Sequence, residues 1–144
     1  MTLEEKDLLL KDLCARLPYR VVVDYAHNAF ALHKGHYVKK GSCILTCYLL
    51  DVFISPRQNE EGEYIKPYLF PLSRMTEEQK LELEIITGDS MGFDAYALHD
   101  FTGYGEISLS RTLEIIQWCY KNHFDIYGLI PMGLALDATG LNIY

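Results

Sequence analysis

Leucines recur at helical spacing near the start of the chain. Leu3, Leu10, Leu13 and Leu17, with Leu9 and Cys14 beside them, form one apolar stripe. Thr2 and Glu5 stand where a capping box needs them, each side chain able to satisfy an orphan backbone donor, and Pro18 ends the run. The pattern predicts a helix over 2–17. Arg20 to Tyr25 (RVVVDY) is short and β-branched and reads as a strand, with Ala29 to Leu32 as a second. His33 to Ser42 holds two glycines and most of the local positive charge, so turns are expected there. Cys43 to Ile54 (CILTCYLLDVFI) is the longest apolar run and reads as a central or strongly bent strand. Polar Pro56–Glu63 reads as a surface loop, and Tyr64–Phe70 as a last, proline-limited strand.

Polar punctuation then changes the period. Thr76 and Gln79 form a second capping box ahead of TEEQKLELEII, and Gly88 is a natural stop. Asp89 to Gly105 is glycine-rich and reads as a loop or a frayed hairpin. Ser108 or Ser110 caps a third helix to about Asn122, with Ile115, Ile116, Cys119 and Tyr120 on its inner side and Trp118 near the edge. Asp125 is placed to cap a short helical turn over 127–133, and the tail LALDATGLNIY has the apolar spacing of a segment that docks. Short consecutive strands without intervening helices favour antiparallel pairing. The expected fold is α+β: a small antiparallel sheet of three to five strands flanked by about three helices, with an SH3-like barrel as one form. At 144 residues the chain fits a single domain, 1–144.

Composition narrows the function classes. The formal net charge is −7, which disfavours nonspecific nucleic-acid binding, because that depends on Lys and Arg neutralising phosphates. The same balance disfavours attachment to an anionic membrane. No run approaches the roughly 20 apolar residues of a membrane span, and MTLEEKDLLLKDL lacks the apolar centre of a signal peptide. A cytoplasmic protein is expected, with Cys14, Cys43, Cys47 and Cys119 as reduced thiols.

Candidate chemistry is sparse. His33, His36, Cys43 and Cys47 offer four zinc-type ligands. On a straight strand, however, positions 43 and 47 lie about 13 Å apart, and only a turn between them would bring them to one metal. No metal or other cofactor is expected. Lys34, His36, Tyr37, Lys39 and Lys40, with glycines at 35 and 41, form the one basic patch and suit a nucleotide or another small anion. No phosphate-binding or dinucleotide fingerprint accompanies them. Cys119 and His123 share a helical face with Asp125 nearby, but partners of a catalytic cysteine normally come from separate segments, so helix-end packing is the simpler account. His99–Asp100 reads as a loop hydrogen bond. Eleven tyrosines enrich the chain in residues suited to binding surfaces. Tyr96 and Tyr104, in the glycine-rich stretch, join the candidate ligand-binding set.

Three phrases carry a resemblance: DLCARLPYRVVV, IKPYLFPLSRMTEEQ and NHFDIYGLIPMGLALDATGLNIY. They resemble a group of small uncharacterised proteins of anaerobic gut bacteria, their prophages and their phages. The resemblance covers the two ends and the centre, roughly half of the chain. It implies an accessory gene of a mobile element, whose products often act on host pathways, including antiviral defence. It implies no activity, cofactor or site residue. Three readings follow. The first is a non-catalytic binding protein that sequesters a small anionic signal or blocks a host protein. The second is a homo-oligomeric interaction module. The third is a small hydrolase that uses a cysteine or a metal.

Overall fold

The computed structural model describes residues 1–31, 35–54, 63–87 and 109–144, without the side chains of 28–31, 35–37 and 109. Helix α1 (Leu3–Arg16) leads into strands β1 (Val22–Ala31) and β2 (Gly35–Ile44). Helix α2 (Cys47–Ile54), strand β3 (Tyr64–Leu69), helices α3 (Glu77–Thr87) and α4 (Leu109–Lys121), and the short strand β4 (Leu136–Asp137) follow. The sheet order is β2-β1-β3-β4, and the fold class is α+β. The first three strands are antiparallel, while β3 and β4 run parallel through Tyr68 and Leu136. Among the described residues no helix is long and apolar enough to cross a membrane.

Local chemistry explains the ends of the helices. Glu5 N donates to Thr2 Oγ1 at 3.1 Å and Thr2 N donates to Glu5 Oε2 at 2.7 Å, closing the capping box. The same reciprocal pair joins Thr76 and Gln79 ahead of α3. Gly88, expected to stop that helix, lies outside the described residues, as does the stretch to 108 that includes His99 and Asp100.

Two expectations are corrected. Arg20–Tyr25 and Ala29–Leu32 are not separate strands: one ten-residue strand, Val22–Ala31, runs through both, starting after Arg20 and Val21, and Leu32 lies outside the described residues. Gly35–Ser42, expected as turns, is the paired strand β2. Glycine and lysine have little strand preference of their own, but a continuous ten-pair ladder to β1 overrides that preference. The second correction is Cys43–Ile54. Only Cys43 and Ile44 belong to a strand; from Cys47 the chain is helical. Thr46 Oγ1 accepts from Leu49 N at 3.3 Å and starts the turn. Leu49 and Leu50 are buried while Tyr48 is 64% exposed, which is a helical division of faces.

Two apolar cores result. Leu9, Leu13, Val21, Val23, Leu49, Ile65 and Leu69 meet between α1, α2 and the sheet. Leu83, Ile115, Trp118 and Phe124 meet where α3 packs on α4. Trp118, expected near an edge, is mostly buried, and its indole N–H donates to Glu82 Oε2 at 3.1 Å.

The tail docks. Ala138 N donates to Leu69 O at 2.8 Å. The Tyr144 hydroxyl donates to Tyr68 O at 2.6 Å and accepts from Val22 N at 3.1 Å. Val22 and Tyr68 would be the next pair of the β1–β3 ladder, so a side-chain hydroxyl bridges the place of a direct strand bond.

Candidate functional site

Four segments converge on one cleft of about 390 Å³. The first turns of α1 supply Lys6, β1 supplies Tyr25 and His27, α2 supplies Phe53, and the start of β3 supplies Glu63 and Tyr64. The volume lies in the range of small-molecule sites. Positions two apart on a strand share a face, which is why Tyr25 and His27 stack, with ring centroids 5.7 Å apart and planes 19° apart. Phe53 is presented by the helix that the apolar run 47–54 forms. Its ring lies 5.4 Å beneath the Lys6 ammonium, so the lysine reaches the cleft over an aromatic face. The Tyr64 hydroxyl donates to Asp24 Oδ2 at 2.8 Å, and the Ser42 hydroxyl donates to Asp24 Oδ1 at 3.1 Å. Its bond to that carboxylate, with some burial, raises the Tyr64 phenol above its ordinary range, so it remains a neutral donor.

The cleft therefore offers aromatic faces for a planar group, one ammonium for an anion, and one carboxylate, Glu63, that can accept from an amino group. None of the sequence-predicted residues with a described side chain lines it. Lys39 and Lys40 are both exposed, at consecutive positions of β2, opposite His27 and Ala26. Consecutive strand residues point to opposite faces, so the two ammonium groups do not share one pocket wall. His36 and Tyr37 lie in β2, and their side chains are outside the described set. Lys34, Tyr96 and Tyr104 lie outside the described residues. Lys6, Tyr25 and Phe53 were missed because they come from separate elements. The alternation Tyr25-x-His27 was the one local signal available.

The metal and nucleophile candidates separate in space and character. The chain does turn between Cys43 and Cys47: Cys43 is half-buried near the end of β2, and Cys47 is exposed at the start of α2. Desolvation pushes the Cys43 thiol up. Among the described residues no three His, Cys, Asp or Glu side chains gather as a ligand set. Cys119 is fully buried, and desolvation pushes its thiol up to about 11, which disfavours the thiolate. Burial, with help from the Arg16 charge, lowers His123 to about 4, so it is neutral at pH 7. Its ring stacks on Tyr144 at 3.8 Å. Both Asp125 oxygens are engaged, accepting from Leu129 N at 2.8 Å and Ile130 N at 2.9 Å. These bonds hold a run of turns over 129–133, within the 127–133 stretch where a helical turn was expected.

A buried polar cluster was not foreseen. Asp12 and Arg16 are both 0% exposed and joined at 2.7 Å. Arg16 also donates to Phe124 O at 2.7 Å and lies over the Tyr120 ring at 4.9 Å. Desolvation pushes the Asp12 carboxyl up, against the opposing pull of the guanidinium. The cluster ties α1 to the end of α4 and offers no open surface.

No protein-family model matches this chain, and no curated protein or solved structure matches it.

Proposed function

We propose that this is a non-catalytic binding protein of a phage or other mobile element that holds a small anionic ligand of the nucleotide class. The observation that carries the reading is the cleft at α1, α2 and β1, where Lys6 stands among the rings of Tyr25, His27, Phe53 and Tyr64. A planar base stacks on such rings, and a phosphate pairs with an ammonium. The state of Cys119, His123 and Asp125 supports binding over hydrolysis: a desolvated thiol, a neutral stacked imidazole and a carboxylate spent on backbone amides do not make a nucleophile and its base. Sequestration of a host signal is the role that suits such a protein in a mobile element.

Titration calorimetry of the full chain against mononucleotides, cyclic dinucleotides and NAD-type dinucleotides tests this. At least one should bind, more weakly as salt rises. Lys6→Ala should weaken that binding by about tenfold or more, the scale of one charge-assisted hydrogen bond. Absence of binding across the series, or binding that Lys6→Ala and Tyr25→Ala both leave unchanged, would defeat the reading.

A second reading, the interaction module, draws on Leu81 and Ile85 of α3 and Leu113 of α4, which are 58%, 81% and 50% exposed. Apolar side chains so exposed on two packed helices suit a protein partner. Light scattering separates the two: an oligomer indifferent to nucleotides favours the module.

A further inference from the structure

β2 is the first strand of the sheet, paired with β1 along its whole length. Among the described residues nothing pairs with its other side. Leu45 N donates to Val21 O at 2.8 Å, which extends the β1–β2 register by one pair. Bonded and non-bonded pairs alternate in an antiparallel ladder. Counting back from Leu45, residues Cys43, Gly41 and Lys39 direct their backbone groups to β1. Val38, Lys40, Ser42 and Ile44 direct theirs outward. The open edge thus presents four N–H and four C=O groups in a row, with Val38 46% and Ile44 38% exposed beside them.

Charge selects what can pair there. Lys39 and Lys40 are exposed and form no ion pair among the described residues, in a chain of net charge −7. Two copies joined antiparallel through β2 with the axis at Lys39 or Lys40 would set lysine against lysine, and like charges across a strand pair destabilise it; with the axis at Gly41 the lysines would face Cys43 and Ser42, with no complementary charge. An acidic strand is favoured by the same rule. Because Lys39 and Lys40 point to opposite faces, the complementary strand needs acidic residues at adjacent positions, one above the sheet and one below. Its residue two positions from the acid that meets Lys40 would lie against Val38 or Ser42 on the same face, and an aliphatic side chain fits Val38.

From this geometry we infer that the β2 edge is a docking site for an extended acidic segment of another protein, taken up as an added strand. Backbone hydrogen bonds supply affinity in this mode, and the flanking side chains supply selectivity. The edge uses residues other than those of the cleft, so its fate is independent of nucleotide binding.

Selection of a displayed library of random linear twelve-residue peptides against the full chain tests the inference. Enriched peptides should carry two adjacent acidic residues with an aliphatic residue nearby. A synthetic copy should slow hydrogen exchange at the amides of Val38, Lys40, Ser42 and Ile44 more than at those of Lys39, Gly41 and Cys43. The surface double variant Lys39→Glu/Lys40→Glu, checked for an unchanged thermal midpoint, should lose the acidic peptide by about tenfold or more. Reselection on it should enrich basic sequences instead. The inference is overturned if no peptide enriches, if the enriched peptides lack acidic pairs, or if protection falls elsewhere. It is equally overturned if the double variant merely self-associates, since the lysines would then serve only to keep copies apart.

Discussion

Arg16 brings a full charge to a place with no solvent contact, where Asp12, Phe124 O and the Tyr120 ring meet it. Removing one member of such a pair strands the other, at a cost of about 3–5 kcal/mol. Asp12→Ala should therefore lower the thermal midpoint by about 10 °C. Asp12→Leu combined with Arg16→Met should recover much of that loss, because apolar replacement removes both desolvation penalties. Differential scanning calorimetry of the single and double variants checks both statements. His123 makes a different demand. Its folded value of about 4 lies below the ordinary 6.5, so between those limits the unfolded chain binds a proton that the folded one refuses. Stability conferred by neutral His123 is present above pH 6.5 and is lost as pH falls toward 4, by up to about 3 kcal/mol. Asp12, held above its ordinary value, acts in the opposite direction, so the comparison must isolate the imidazole. His123→Asn keeps a residue tolerant of the left-handed backbone at φ 59° and should flatten the urea-denaturation midpoint across pH 4–6.5. An unchanged slope would remove His123 from the account. The sequence placed Cys119 and His123 on one turn, but it held no sign that Tyr144 would cover the imidazole or that Arg16 would be buried nearby. Those are facts of tertiary burial, and an i,i+4 Asp–Arg spacing looks the same on a wet helix face.

The elements divide by where their cause resides. Both capping boxes were legible because donor and acceptor lie three residues apart and need nothing else. β3 was legible from alternation, and Pro67 fits it because its missing N–H falls in a non-bonded pair with Val23. Helix α2 was not legible. CYLLDVFI is apolar on nearly every side, so the contrast that separates a period of 3.6 from one of 2 is weak. The deciding signal was Thr46, whose hydroxyl caps the first turn. Thr46→Ala should cost about 1 kcal/mol, and exchange of the amides of Leu49 and Leu50 should speed up selectively. β2 was read as turns for the converse reason: its glycines and lysines are poor strand formers, and only the ladder to β1 makes them a strand.

At the scale of the molecule the sequence established the α+β class and the docking of the tail, but not the cleft. The apolar spacing of LALDATGLNIY already indicated docking: Ala138 is buried, and Tyr144, though 44% exposed, docks through its hydroxyl. The cleft joins residues 6, 25, 53 and 64, which share no motif and meet only once α1, α2 and the sheet have packed. The patch read from the sequence, by contrast, is contiguous in the chain yet divided between two faces where Lys39 and Lys40 stand.

The bridge made by Tyr144 has a consequence for the order in which the molecule is completed on a ribosome. Val22 and Tyr144 are 122 positions apart, and Arg16 meets Phe124 across 108. α1 and β1 are made more than a hundred residues before these closing partners. The growing chain must keep α1 and β1 available, unsealed, while the intervening residues are added. During that interval the β1–β2 hairpin, whose contacts are local, is the part able to form first, and it does so with its outer edge already open to a visiting strand.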